Sequence, residues 1–150
     1  MDYETRIKHL LATSKRLAEA DPQGEAVGRL VQGLQEHVQE LGQVEKPAGF
    51  KGSFGEHSMK DDISFIGEQV KKLKSAAEIP ARNYQRIMAI LQGLDRATEI
   101  AKRPQFAAVR PRIAKIVEKI AGVFSEVDTV QDLDKPLEQI EKAVHGLYGD

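Results

Sequence analysis

Residues 106–127 read FAAVRPRIAKIVEKIAGVFSEV. Phe106, Val109, Ile113, Ile116, Ile120, Val123 and Val127 recur three then four apart, which places all seven on one face of an α-helix. Val117, Ala121 and Phe124 widen that arc, so this fifth helix is expected to be the most buried. An apolar face this long needs a partner surface. The same rhythm in Ile63, Ile66, Val70, Leu73 and Ala77 supplies one.

Working outward, the breakers divide the rest of the chain into further helices. Pro104 separates the fifth helix from a fourth, expected from about Ala81 to Lys102 with Tyr84, Ile87, Met88, Leu91, Leu94, Ala97 and Ala101 inward. Ile79-Pro80 ends the third helix, because the residue before proline is disfavoured in the α region. Ser58 or Asp61 caps the start of that third helix. Asp134, ahead of Pro136, opens a short last helix carrying Leu137, Ile140, Val144 and Leu147. Towards the N-terminus, Asp2 caps a first helix whose expected inner face is Ile7, Leu10, Leu11, Ser14, Leu17 and Ala18. Asp21-Pro22 reads as an N-cap with proline at the first helical position of a second helix ending near Gly42. Gly24, Gly28 and Gly33 weaken that helix unless a neighbour packs closely against it.

Short connections favour antiparallel neighbours. The expectation is a single all-α domain spanning residues 1–150: an up-and-down antiparallel helical bundle of four main helices with one or two additional short or bracing helices. The longest break, residues 43–57, brackets Phe50 and Phe54 with Gly49, Gly52 and Gly55. Loops of this length in compact domains often carry function.

Composition bounds the function. Hydrophobic residues make up 41% of the chain and charged residues 30%, a balance that suits a folded helical protein. Cysteine is absent, which excludes disulfides, thiolate metal sites and cysteine nucleophiles. The start, Met1-Asp2-Tyr3-Glu4, lacks the basic-then-apolar order of a signal peptide, and no apolar run reaches membrane-spanning length. The chain is read as cytoplasmic, without a membrane partner.

No reactive constellation stands out. His9, His37, His57 and His145 are scattered, and none has the Glu three residues ahead that carboxylate-bridged metal bundles use. Gly-x-Ser-x-Gly and phosphate-loop patterns are missing. No enzyme activity, metal or cofactor is therefore expected.

Two features remain. The first is charge. The net charge is −1, yet residues 80–119 hold nine basic side chains (Arg82, Arg86, Arg96, Lys102, Arg103, Arg110, Arg112, Lys115 and Lys119) against Asp95, Glu99 and Glu118. The acidic C-terminal helix lying nearby is one way to temper that surplus. An anionic partner is the other, and a mixed pattern with overall pI near 6.4 fits an acidic protein surface better than nucleic acid.

The second is His57-Ser58-Met59-Lys60, followed by Ile66-Gly67. This resembles the phosphoacceptor motif of histidine phosphotransfer domains, which are helical bundles. The resemblance implies that His57 accepts a phosphoryl group and that Lys60 helps neutralise it. Where that family has Gly after Lys, this chain has Asp61-Asp62. The same residues also read as a loop-to-helix junction, and that reading is adopted. The expected function is a non-enzymatic protein–protein interaction or regulatory adaptor bundle. Phe50, Phe54, Arg103, Arg110, Arg112 and Lys115 are its candidate contacts, another protein is its partner, and homo-oligomerisation is left open.

Overall fold

The computed structural model describes residues 2–44, 59–73, 80–127 and 131–148. It is an all-α helical bundle of six helices: α1 Tyr3–Ala20, α2 Glu25–Gly42, α3 Met59–Leu73, α4 Pro80–Ala101, α5 Arg110–Glu126 and α6 Asp134–Tyr148. Short 3-10 turns at Pro104–Phe106 and Gln131–Leu133 lead into α5 and α6.

Helix packing follows a closed circuit in the order α2, α3, α4, α6, α5 and back to α2, with α1 laid against α4 outside it. Interhelical neighbours give the directions. Gly42 and Gly67 of α2 and α3 approach Ile63 and Val38, so the pair is antiparallel. Asp62 pairs with Arg96 while Arg86 donates to the Lys72 carbonyl, which makes α3 and α4 antiparallel. Gly33 meets Val123 and Glu40 meets Lys119, which does the same for α2 and α5. Ile66, Leu91, Leu94, Leu34, Ile120 and Phe124 fill the interior.

Helix starts explain the local differences from the periodicity. Asp2 caps α1, its Oδ1 accepting the Thr5 N–H at 2.7 Å; hydrogen bonding to the Thr5 side chain first, and this backbone bond second, hold the carboxyl below its usual value of 3.8. The second helix begins later than Asp21-Pro22 suggests. Gly24 takes the left-handed conformation at φ 73°, and the two Asp21 oxygens reach past it to the N–H groups of Ala26 and Val27, at 3.1 and 3.0 Å. Asp21 thus caps the helix at a distance, and Pro22 sits in the turn. Pro111 lies in the first turn of α5 and opens it without a kink being needed.

Two expectations about burial do not hold. The most buried helix is α4, with Tyr84, Ile87, Ile90, Leu91, Leu94, Ala97, Ile100 and Ala101 all inside. It is touched by α1, α3, α5 and α6, and its exposed side is confined to the face that carries Gln85, Gln92, Arg96 and Glu99. On α1, Thr13, Ser14 and Leu17 face inward, whereas Ile7 and Leu11 are exposed. The cause is polar. Asp132, on the turn before α6, accepts the Thr13 hydroxyl at 2.9 Å and also the Arg16 guanidinium. His9 stands 3.9 Å from the same carboxylate and packs edge-on against the Tyr84 ring. With these contacts Thr13 and Ser14 join Leu10 and Leu17 against the bundle, while Ile7 and Leu11 turn outward.

Candidate functional site

The cations of residues 80–119 divide by what they touch. Arg110, at the start of α5, reaches back across the Pro104–Phe106 turn. Its Nε donates to the Ala101 carbonyl at 2.9 Å, and its Nη2 donates to those of Lys102 and Arg103, at 2.8 and 3.3 Å. Ala101 is the last residue of α4 and Lys102 and Arg103 follow it, the Arg103 carbonyl also accepting the Phe106 N–H at 3.0 Å, so the guanidinium sits at a helix C-terminus, where a cation is favoured by the helix dipole. Arg96 lies 3.4 Å from the buried Asp62 carboxylate. Lys102 pairs with Glu99 at 3.1 Å and Lys119 with Glu40 at 3.7 Å. Arg86 is held by the Lys72 carbonyl and the Asn83 side chain. Among the described residues no ion pair ties the carboxylates of α6 to these cations, so the tempering comes from Glu99, Glu40 and Asp62 instead.

Arg112 and Lys115 differ. Both are exposed, and among the described residues neither makes a hydrogen bond or ion pair. They stand one turn apart on the outer flank of α5. Beside them, where α2 ends and α3 and α5 begin, lies a cleft of about 210 Å³. Leu41, Val44, Met59, Ile63, Phe106, Val109 and Ile113 give it an apolar lining, with Lys60 and Ser64 as its polar members. Arg112 follows Val109 by three positions and so sits at this mouth. The volume suits a single large side chain, with Lys60 on the cleft's wall, Arg112 about 60° round α5 from Val109, and Lys115 farther round the same helix.

A larger hollow of about 420 Å³ lies at the α1–α2 turn. Its one charged member, Asp21, is already engaged by the α2 amides, and the rest of its polar lining is Gln23, Gln32, Gln35 and Asn83. It offers no charge to select a ligand.

The remaining candidates from the sequence fall as follows. Phe50, Phe54 and His57 lie outside the described residues. Lys60 is exposed in the first turn of α3, and Arg103 is half-buried at the end of α4. His37 lies 3.6 Å from Glu40, extending the Glu40–Lys119 link between α2 and α5. Among the described residues no three His, Asp or Glu side chains gather as a metal ion would require, and no helix is long and apolar enough to cross a membrane. The polar cluster of His9, Thr13, Arg16 and Asp132 escaped the sequence reading. Its partners are separated by more than a hundred residues, and only Thr13, on the edge of an otherwise apolar face, hinted at it.

Comparison of the chain with protein-family models, with curated proteins and with solved structures finds no match.

Proposed function

We propose that this chain is a non-enzymatic interaction module that docks an acidic segment of another protein at the mouth of the α2–α3–α5 cleft. The observation that supports it is the division among the cations. Arg86, Arg96, Lys102, Arg110 and Lys119 are spent within the bundle, whereas Arg112 and Lys115 have no such partner among the described residues and Lys60 lines an apolar cleft beside the start of α5. A single apolar side chain of the partner fills the cleft, and carboxylates beside it meet the three cations. Burying an anchor in a pocket gives affinity, while charges around the rim give approach rate and selectivity.

The test is fluorescence anisotropy with a labelled acidic peptide carrying one central Leu or Phe. Binding should weaken as salt rises, because the rim charges are solvent-exposed. It should also be lost in Ser64→Trp, whose indole covers the cleft from an exposed position on its wall. Binding that ignores both salt and the Ser64→Trp change would refute the assignment.

A further inference from the structure

The N-terminal half of α1 stands clear of the bundle. Residues 2–9 are all exposed, and Tyr3, Ile7 and Leu11 show 78%, 37% and 57% of their surface to solvent. Spaced four apart, these three form one apolar stripe. The contacts of Thr13 and Arg16 with Asp132 fix the rotation of the helix, so the stripe cannot turn inward without breaking them.

From this geometry we infer that α1 pairs antiparallel with α1 of a second copy, about a two-fold axis at Ile7. The pattern is complementary to itself. With Ile7 on the axis, Tyr3 lies over the second copy's Leu11, and the reverse contact follows by symmetry. Glu4 and Lys8 occupy one flank of the stripe, roughly 60° and 100° round the helix from Ile7. In such a pair the same flanks face each other, and Glu4 falls within about 3 Å, measured along the axis, of the second copy's Lys8. Two opposite-charge pairs therefore border the apolar seam. Arg6 on the other flank, and Lys8 on this one, each lie about 3 Å along the axis from their own counterparts, which weakens the pairing. Three exposed apolar side chains bury far less than the roughly 800 Å² per partner of a standard interface, so the dimer is a weak one.

Sedimentation equilibrium of the full chain from about 5 to 500 µM reads this affinity directly. A monomer–dimer equilibrium is expected. Glu4→Lys and Lys8→Glu should each weaken it about tenfold alone, since each leaves like charges facing across the seam. Mixed one to one, the two variants restore both opposite-charge pairs in trans and should associate as tightly as the wild type. That rescue separates pairing between copies from the Glu4–Lys8 attraction available within one helix. Ile7→Glu should abolish association with unchanged helical circular dichroism, because Ile7 lies outside the core cluster, and Arg6→Gln should tighten it. A chain that stays monomeric to about 500 µM, or a mixture no better than its parts, overturns the inference.

Discussion

Arg110 and Arg112 sit two residues apart on α5 with the same charge and very different tasks. Arg110 closes the end of α4 through three carbonyl hydrogen bonds, whereas Arg112 points to solvent. Hydrogen bonds from a charged group are worth roughly 1.5–3 kcal/mol, so Arg110→Ala should lower unfolding stability by about 2 kcal/mol in urea titrations. Arg112→Ala should stay within about 0.5 kcal/mol of the wild type. Sequence could not separate the two, because the carbonyls that Arg110 satisfies come into reach only after the chain turns at Pro104–Phe106. Tyr84 shows a second effect at this scale. Burial, with the Asp132 carboxylate adding to it, raises its phenol above the usual 10.0, while Arg16 opposes. The folded state therefore keeps a proton that the unfolded chain releases. The stability this gives is complete below about pH 10 and is lost as pH climbs through the raised value. Tyr84→Phe should remove that alkaline decline, read as a flatter dependence of the denaturation midpoint between about pH 9 and 11.

At the scale of helices, close approach decides which glycines matter. A Cβ on Gly33 would lie 2.8 Å from Val123 Cγ1, and one on Gly93 would lie 2.7 Å from Ile66 Cγ1. Both neighbours are β-branched and stiff. Gly28 has nothing within 4 Å. Alanine at 33 or 93 should thus cost about 1–3 kcal/mol through overpacking. Alanine at 28 should instead add up to about 1 kcal/mol through helix propensity. Thermal melts of the three variants check both signs, and Val123→Ala should recover part of the loss at Gly33. The close packing that the sequence reading offered for these glycines is present at Gly33 and absent at Gly28, which simply weakens α2, and at Gly24 the reading missed the left-handed turn that sets the start of the helix. Helix existence was legible because it rests on spacing along the chain. Helix rotation was not, and α1 shows why. The Thr13–Asp132 hydrogen bond joins residues far apart in sequence, and with it Ile7 and Leu11 of the expected inner face turn outward.

At the scale of the whole fold, the described residues form a circuit of five helices with a sixth outside it. The basic surplus of residues 80–119 was visible from composition, but its meaning depended on which charges the fold consumes. Arg96 closes on Asp62, Lys119 on Glu40 and Lys102 on Glu99, which leaves Arg112 and Lys115 without such a partner among the described residues and Lys60 on the cleft wall, the cations on which the proposed docking rests. The apolar cleft itself was not legible, since Leu41, Met59, Phe106 and Ile113 come from four separate segments. A charge-matched comparison tests this division most directly. Arg112→Glu alone should weaken the acidic peptide at least about tenfold, with a further loss on adding Lys115→Glu. Arg82→Glu changes net charge by the same amount as Arg112→Glu, at an exposed position on the first turn of α4, and should leave affinity within about twofold. Equal losses in Arg82→Glu and Arg112→Glu would mean that the peptide senses only overall charge, and the proposed docking surface would be wrong.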